Sequence, residues 1–353
     1  MQLSVSPIAL RHFARACLSA VGVVHDDADW AATALVEADL QGLSTHGTMR
    51  LKAYIEGLQS GKINSRPHMT WNRTGPVTAI LNGDNGLGCV SAKLAANFAV
   101  DLARTAGLGA VAVYRGNHAG ALSLYAEWAT HYGMIGLCCC NTHPAVPPTG
   151  GRKPFFGTNP IAFAAPTNAE HSLSVDLATS VVARGHIIQA ARRGEAIPEG
   201  WAVDSEGRAT IDPKAALDGS LLPMAGAKGY ALAMMIEVLA GVLSGARVGD
   251  EVGSMFGEGD EPPGNGFFYL AINPEHFVGQ AAFVERIQRL MDDVHAVPLA
   301  EGSERIYVPG ERRFLAKQLR RATGIPISEE VWDDFSALAQ ALDVHLPECT
   351  QAR

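Results

Sequence analysis

Read for the spacing of its apolar positions, the chain opens with helices. Ser6-Pro7 starts a run carrying Ile8, Leu10, Phe13 and Leu18, and Gly22 closes it. Asp26 or Asp27 caps a second run with Trp30, Leu35 and Val36. A third helix is predicted over 44–60, where Leu51, Tyr54, Ile55 and Leu58 recur at helical spacing before Gly61 and Ser44 or Thr45 serves as cap. Pro67 marks the exit from this helical N-terminal module, placed at residues 1–75. Beyond it the pattern predicts strands at 77–81, 109–114, 134–140, 161–165, 173–177, 267–272 and 305–308. Helices are predicted at 90–104, through Trp128, at 179–193, 230–243 and 279–294, and twice at the C-terminus. Asp204-Ser205-Glu206-Gly207 reads as a hairpin tip, and the acidic, Gly/Pro-rich segment 250–266 as a mobile loop. Strands and helices mix without strict βαβ alternation and without an internal repeat. That predicts an α+β (irregular α/β) fold rather than a doubly wound sheet.

Composition narrows the function classes. Of 353 residues 47% are hydrophobic and only 18% charged, so the chain has ample core and little room for disorder. A formal net charge of -8 with no basic block argues against nucleic acid as a partner. The start MQLSVSPIALRHF lacks a basic region followed by an apolar one, and the apolar run around 230–243 is broken by Glu237 and Gly241. Neither a signal peptide nor a membrane partner is expected. Cys138, Cys139 and Cys140 are adjacent, so on a strand they alternate between faces; buried small hydrophobes in a reducing cytoplasm is the expectation, with no metal site.

Several polar clusters offer chemistry, each beside a plainer reading. In Thr45-His46-Gly47-Thr48-Met49-Arg50 the spacing puts His46 and Arg50 on one helical face, with His46 kept neutral near the helix N-terminus. A proton-transferring His one turn from a carboxylate-gripping guanidinium suits a dehydrogenase of 2-hydroxy acids; a capping His and a surface Arg fit the spacing as well. Gly86-Leu87-Gly88-Cys89-Val90-Ser91 follows a strand and opens a helix, as a dinucleotide fingerprint does. The next strand, however, ends Val113-Tyr114-Arg115 where an acid is needed, and a plain turn fits equally. Asn117-His118 lies at a strand–helix boundary, as a site pair or an exposed loop. Asp176 ends a strand, to orient a His, meet a ribose or cap a helix. Lys228, between Gly226 and Gly229 before a helix, is placed for a phosphate or for solvent.

Taken in order, Thr45-His46-Gly47 with Arg50, Asn117-His118, Gly157-Thr158-Asn159-Pro160, Asp176-Leu177-Ala178-Thr179-Ser180, Gly226-Ala227-Lys228-Gly229 and Pro309-Gly310-Glu311 resemble the malate/L-lactate dehydrogenase family over residues 5–340. The resemblance implies a homodimeric oxidoreductase that uses NAD or NADP, NAD being slightly favoured, to interconvert a small 2-oxo and 2-hydroxy carboxylate. Reduction of a cyclic imine such as Δ1-piperideine-2-carboxylate is the alternative. It implies a non-Rossmann fold with a largely antiparallel sheet, in which 76–304 binds cofactor and substrate, as one region or as two subdomains, and 305–353 joins the N-terminal module.

Residue by residue, the resemblance assigns proton transfer to His46 or His118, with Thr45 and Asp176 in support. Arg50, Asn117 and Thr158 match substrate-binding positions. His118, Thr142, Asp176, Leu177, Ala178, Lys228, Gly310 and Glu311 match cofactor contacts. Thr45 stands where many members have Ser, Leu177 where Met is frequent, Ala119 where Phe is common and Ala227 where some members have His. The last two put the substrate's identity in question.

Overall fold

Ser6 begins the first helix as expected: its hydroxyl accepts a hydrogen bond from Ala9 N at 3.1 Å, and Pro7 occupies the first turn. The structure is a computed structural model that describes residues 2–255 and 261–351. A short strand that the apolar pattern did not announce, β1 (Gln2–Val5), precedes helix α1 (Pro7–Ala20). Helix α2 (His25–Leu40) follows Val24 with no side-chain cap, so Asp26 and Asp27 lie inside its first turn, where their charge favours the helix dipole.

The third helix is shorter than the spacing predicts. Residues Ser44–His46 and Thr48–Arg50 form separate 3-10 turns, and α3 spans only Leu51–Gln59. Neither Ser44 nor Thr45 caps it; Arg50 takes the cap position without a side-chain bond. The break is at Gly47, where a Cβ would lie 1.9 Å from Asp39 Oδ1. The Asp39 carboxylate fills that space and accepts Thr48 N at 2.8 Å and Thr48 Oγ1 at 2.6 Å.

The middle of the chain builds β2 (Thr70–Arg73), β3 (Thr78–Asn82), α4 (Gly88–Ala106), β4 (Leu108–Gly116), α5 (Ser123–Thr130), β5 (Ile135–Cys140), β6 (Ile161–Ala165) and β7 (Leu173–Leu177). A small insertion follows: α6 (Arg184–Arg193), β8 (Ala202–Val203), β9 (Ala209–Thr210), α7 (Pro213–Asp218) and β10 (Ser220–Leu221). Helix α8 (Ala227–Glu237) runs on into a π-helical turn, Val238–Val242. The chain closes with β11 (Asn265–Ile272), α9 (Gln280–His295), α10 (Glu311–Thr323), β12 (Ile325–Ser328), α11 (Glu329–Leu342) and β13 (Cys349–Gln351).

Seven strands form one mixed sheet in the order β2-β3-β4-β11-β5-β6-β7. Only β3 and β4 run parallel, joined by α4; the other neighbours are antiparallel. Late strand β11 is inserted at the centre, where Tyr269 pairs with both Val111 and Cys138. The adjacent cysteines divide between faces as their alternation requires. Cys138 and Cys140 join the main core, while Cys139 packs with Ile236 and Ala240 under α8. The chain ends meet in a second sheet, where β1 pairs with β12 and β13.

Two further expectations, a helix from 179 and a strand at 305–308, are corrected. The helix expected from 179 starts at Arg184, because Thr179 N donates to Thr158 O at 2.9 Å and Val181 N to Leu222 O at 2.9 Å, which keeps 179–183 out of the helix. No strand forms at 305–308; Val308 N instead donates to the Glu311 carboxylate at 3.2 Å. Of the loop expected to be mobile at 250–266, residues 256–260 lie outside the described residues, and Gly253 N donates to Pro263 O at 2.9 Å. The hairpin tip at 204–207 is as expected, with Asp204 Oδ1 accepting from Glu206 N and Arg208 N, both at 2.9 Å.

Candidate active site

The turn fixed by Asp39 presents three of the predicted residues together. Thr45 Oγ1 lies 3.0 Å from His46 Nδ1, and Arg50 Nε donates to Thr45 O at 2.7 Å. Thr45 is buried, and its extra methyl meets the start of α6: a Cβ on Gly185 would lie 3.0 Å from Thr45 Cγ2 and 3.7 Å from Arg50 Nη2. The added bulk of Thr over Ser is thus accommodated by a glycine across the interface.

The second imidazole arrives on the loop after β4. Asn117 is 1% exposed, and its amide nitrogen donates to Asn85 O at 2.9 Å and Gly86 O at 3.2 Å. A Cβ on Gly88 would stand 2.1 Å from Asn117 O. The Gly-rich turn therefore receives the Asn117-His118 backbone and the Asn117 amide nitrogen, while Asn117 Oδ1 is buried with no hydrogen-bond partner among the described residues. The His118 ring lies nearly parallel to His46, with centroids 5.8 Å apart at 14°. Tyr54 Oη is 2.9 Å from His118 Nδ1. Spacing marked Tyr54 only as an apolar helix position; a Tyr where Leu would fill the core was the available signal.

Burial dominates the electrostatics. It lowers the pKa of His46, against the opposing charge of Asp176, and Arg50 and His186 lower it further. His118 falls well below the ordinary histidine value through burial, then through His46 and Arg50. Both rings are neutral at neutral pH. For His46 the cause is desolvation and not the dipole of α3, from which Gly47 separates it. Burial also lowers Arg50, which stays a cation.

Asp176 sits at the end of β7, and its Oδ2 accepts Ser123 N at 2.8 Å, the first residue of α5. Leu177 and Ala178 follow, half-buried. Thr158 O takes both Thr179 N and Thr179 Oγ1 at 2.9 Å. Thr142 N donates to Asn159 Oδ1 at 3.1 Å. These loops hang on a residue the sequence reading noted only as a break in an apolar run. Glu237, 5% exposed, accepts Asn141 Nδ2 at 2.9 Å, Asn159 Nδ2 at 2.7 Å and Gly249 N at 2.9 Å. Lys228 is exposed in the first turn of α8 and has no hydrogen-bond or ion-pair partner among the described residues. Gly310, at φ +96°, starts α10 against Ser174. Glu311 is buried, and its carboxylate is committed to Arg305, to His295 Nε2 at 3.0 Å and to Val308 N. A cavity of about 350 Å³ beside α6, lined by His143, Lys153, Arg184, Ile187 and Asp250, contains none of the predicted residues.

Among the described residues, no three His, Cys, Asp or Glu side chains are grouped to hold a metal, and no helix is long and apolar enough to cross a membrane. A sequence profile described as malate/L-lactate dehydrogenase matches residues 5–336. The L-sulfolactate dehydrogenase of Methanothermobacter thermautotrophicus is 38% identical over 98% of both chains. The NAD(+) ureidoglycolate dehydrogenase of Escherichia coli K12 is 36% identical over 89% of this chain and 90% of its own. Among solved structures, Δ1-piperideine-2-carboxylate reductase from Pseudomonas syringae superposes with a TM-score of 0.86 at 33% identity, over 95% of this chain and 99% of its own. Carrying the family's motifs in order along its whole length, the chain belongs to the malate/L-lactate dehydrogenase family.

Proposed function

We propose that this protein is an NAD(P)-dependent oxidoreductase acting on a small 2-oxo or 2-hydroxy carboxylate of the malate, lactate or sulfolactate kind. The observation that carries the reading is one half-buried cluster: two imidazoles stacked at 5.8 Å beside a guanidinium tied to the same turn at 2.7 Å. The Arg50 fork pairs with the substrate carboxylate and fixes the acceptor carbon, where small misplacement costs heavily in rate. His46 moves the proton at the substrate oxygen. It is chosen over His118 because Asp176 favours its charged form, whereas the charges of His46 and Arg50 disfavour that of His118. His118, held by Tyr54, orients substrate and cofactor. Thr158 lies by the same loops as a further substrate contact.

The frame is other than Rossmann: one parallel pair, a late strand at the centre, and a Gly-rich turn spent on Asn117 support that reading. Thr142, Asp176, Leu177, Ala178, Lys228 and Gly310 would hold the nicotinamide cofactor, with His118 at its reactive end and Glu311 contributing through its backbone. The fit rests on an ammonium without an acceptor at a helix start and on buried Arg313 Nη1 and Ser123 Oγ without hydrogen-bond partners beside Asp176. When bound, the cofactor supplies the hydride. Of the relatives named for a cofactor, the ureidoglycolate dehydrogenase of Escherichia coli takes NAD(+) and the sulfolactate dehydrogenase of Chromohalobacter salexigens NADP(+); we propose NAD for this chain, and parallel NADH and NADPH assays decide between them.

The second reading, favoured by the reductase from Pseudomonas syringae, is reduction of a cyclic imine carboxylate through the same Arg50 clamp. NADH and NADPH oxidation against pyruvate, oxaloacetate, sulfopyruvate and Δ1-piperideine-2-carboxylate separates the two; silence on the open-chain acids would refute the first. We further propose a homodimer. The outer face of α8 and its continuation leaves Met234, Met235, Val238, Val242 and Leu243 at 44–62% exposure with no charged side chain among them. Sedimentation of Val238→Asp as a monomer beside a wild-type dimer is expected, and a wild-type monomer would contradict it. Five buried, unpaired cysteines support a cytoplasmic location, which cell fractionation would check.

A further inference from the structure

Arg313 was not among the residues the sequence singled out. From α10 its Nη2 donates to Ser174 O at 2.9 Å and Ser174 Oγ at 2.7 Å, and lies 3.6 Å from Glu127 Oε1 on α5. Its Nη1 is 3.9 Å from Asp176 Oδ2 and is buried with no hydrogen-bond partner among the described residues. Ser174 Oγ in turn donates to Glu127 Oε1 at 2.6 Å. Asp176, which also accepts Ser123 N, therefore stands between a helix N-terminus and a buried guanidinium that a second carboxylate competes for.

We propose that Arg313 is a positioning residue that holds the Asp176 carboxylate in place and offsets part of its charge, and so sets how readily His46 takes up a proton. This rests on the reading of His46 as the proton carrier. Among the described residues, the groups that act on His46 are Arg50 and Thr45 from its own turn, His118 from the loop after β4, His186 from α6 and Asp176 from β7, and of these it is Asp176 that favours the imidazolium. Asp176 itself faces Arg313, the Ser123 N–H and the buried thiols Cys138 and Cys140 of β5. Charge added to or removed from the Arg313 pair acts on His46 by changing how much of the Asp176 charge is offset, and a direct effect through space is what the Asp176→Asn background below would expose.

The test is the pH profile of kcat/KM for reduction, whose basic limb reports His46 in the free enzyme. Arg313→Gln leaves Asp176 uncompensated and should move that limb up by about half a pH unit or more. Arg313→Lys should restore it. Glu127→Gln removes the competitor and should move the limb the other way, and it serves if Arg313→Gln is too unstable to assay. In an Asp176→Asn background neither change should shift the limb further. Unmoved limbs, a reversed order, or equal shifts in the Asp176→Asn background would overturn the proposal. His46→Asn is the control for the underlying reading: if it keeps wild-type turnover, His46 is not the carrier and both readings fall. If it is inactive and the limbs stay put, only the role of Arg313 falls.

Discussion

Replacing Tyr54 by Phe removes one atom and asks a specific question of the site. The phenol is 2% exposed, and its oxygen is 2.9 Å from His118 Nδ1 and 3.4 Å from His118 O. Because burial keeps His118 neutral, one ring nitrogen carries the proton and the other does not. The phenol at Nδ1 fixes which, and so whether Nε2 offers a proton or a lone pair to the substrate. Phe keeps the ring and its packing, so the fold should survive with a Tm only a few degrees lower. Loss of a buried hydrogen bond that leaves one partner unmet costs about 1–3 kcal/mol. Felt wholly in the transition state, that is roughly a fivefold to hundredfold loss in kcat/KM. Steady-state NAD(P)H oxidation with the best acceptor, over a range of pH, measures it. A Tyr54→Phe enzyme within twofold of wild type at every pH would refute the reasoning.

Gly47→Ala would drive a methyl to within 1.9 Å of Asp39 Oδ1; differential scanning calorimetry should show a loss of about 1–3 kcal/mol or more, with activity falling because His46 and Arg50 move together. Unchanged Tm and turnover would show that the turn is not clamped as described. Burial raises the pKa of Asp39 to about 6, so the folded state binds its proton more tightly than the unfolded chain does. The stability this confers is complete below about pH 4 and is lost as pH rises through 6, a change of about 3 kcal/mol. Asp39→Asn should flatten the urea-unfolding profile across that window; parallel profiles for the two proteins would contradict the assignment. Lys228→Ala should raise the KM for the nicotinamide cofactor while leaving kcat near wild type, and an unchanged KM would remove Lys228 from the cofactor site.

The mixed fold was legible in the sequence because most strands are short apolar runs bounded by turn residues; β6 and β7 fall on their predicted bounds. What escaped was set by contacts distant in sequence. β1 and β12 are strands because the chain ends pair with each other, which no local pattern announces. The break at Gly47 depends on a carboxylate eight positions upstream, so periodicity read one helix where the chain makes two turns and a shorter helix. At the site, His46, Arg50 and His118 could be named from motif order. Tyr54, Glu237 and Arg313 could not, since their roles come from what they meet across the fold: a ring nitrogen, two loop asparagines and the carboxylate of Asp176. The Gly-rich turn carried the opposite lesson. Its Gly88 answers to a close backbone approach by Asn117, its Gly83 to Arg115 and its Gly86 to Pro67 and Met69, needs that in sequence are indistinguishable from those of a phosphate cradle.

The measurement that bears most directly on the central claim is turnover of the four-acceptor panel by wild type and Arg50→Ala side by side, followed at the nicotinamide absorbance. The account predicts that wild type reduces at least one open-chain 2-oxo acid. It also predicts that Arg50→Ala loses roughly a hundredfold or more in kcat/KM on that acid, because one guanidinium both binds the carboxylate and positions the acceptor. Equal kcat/KM for the two enzymes would contradict it.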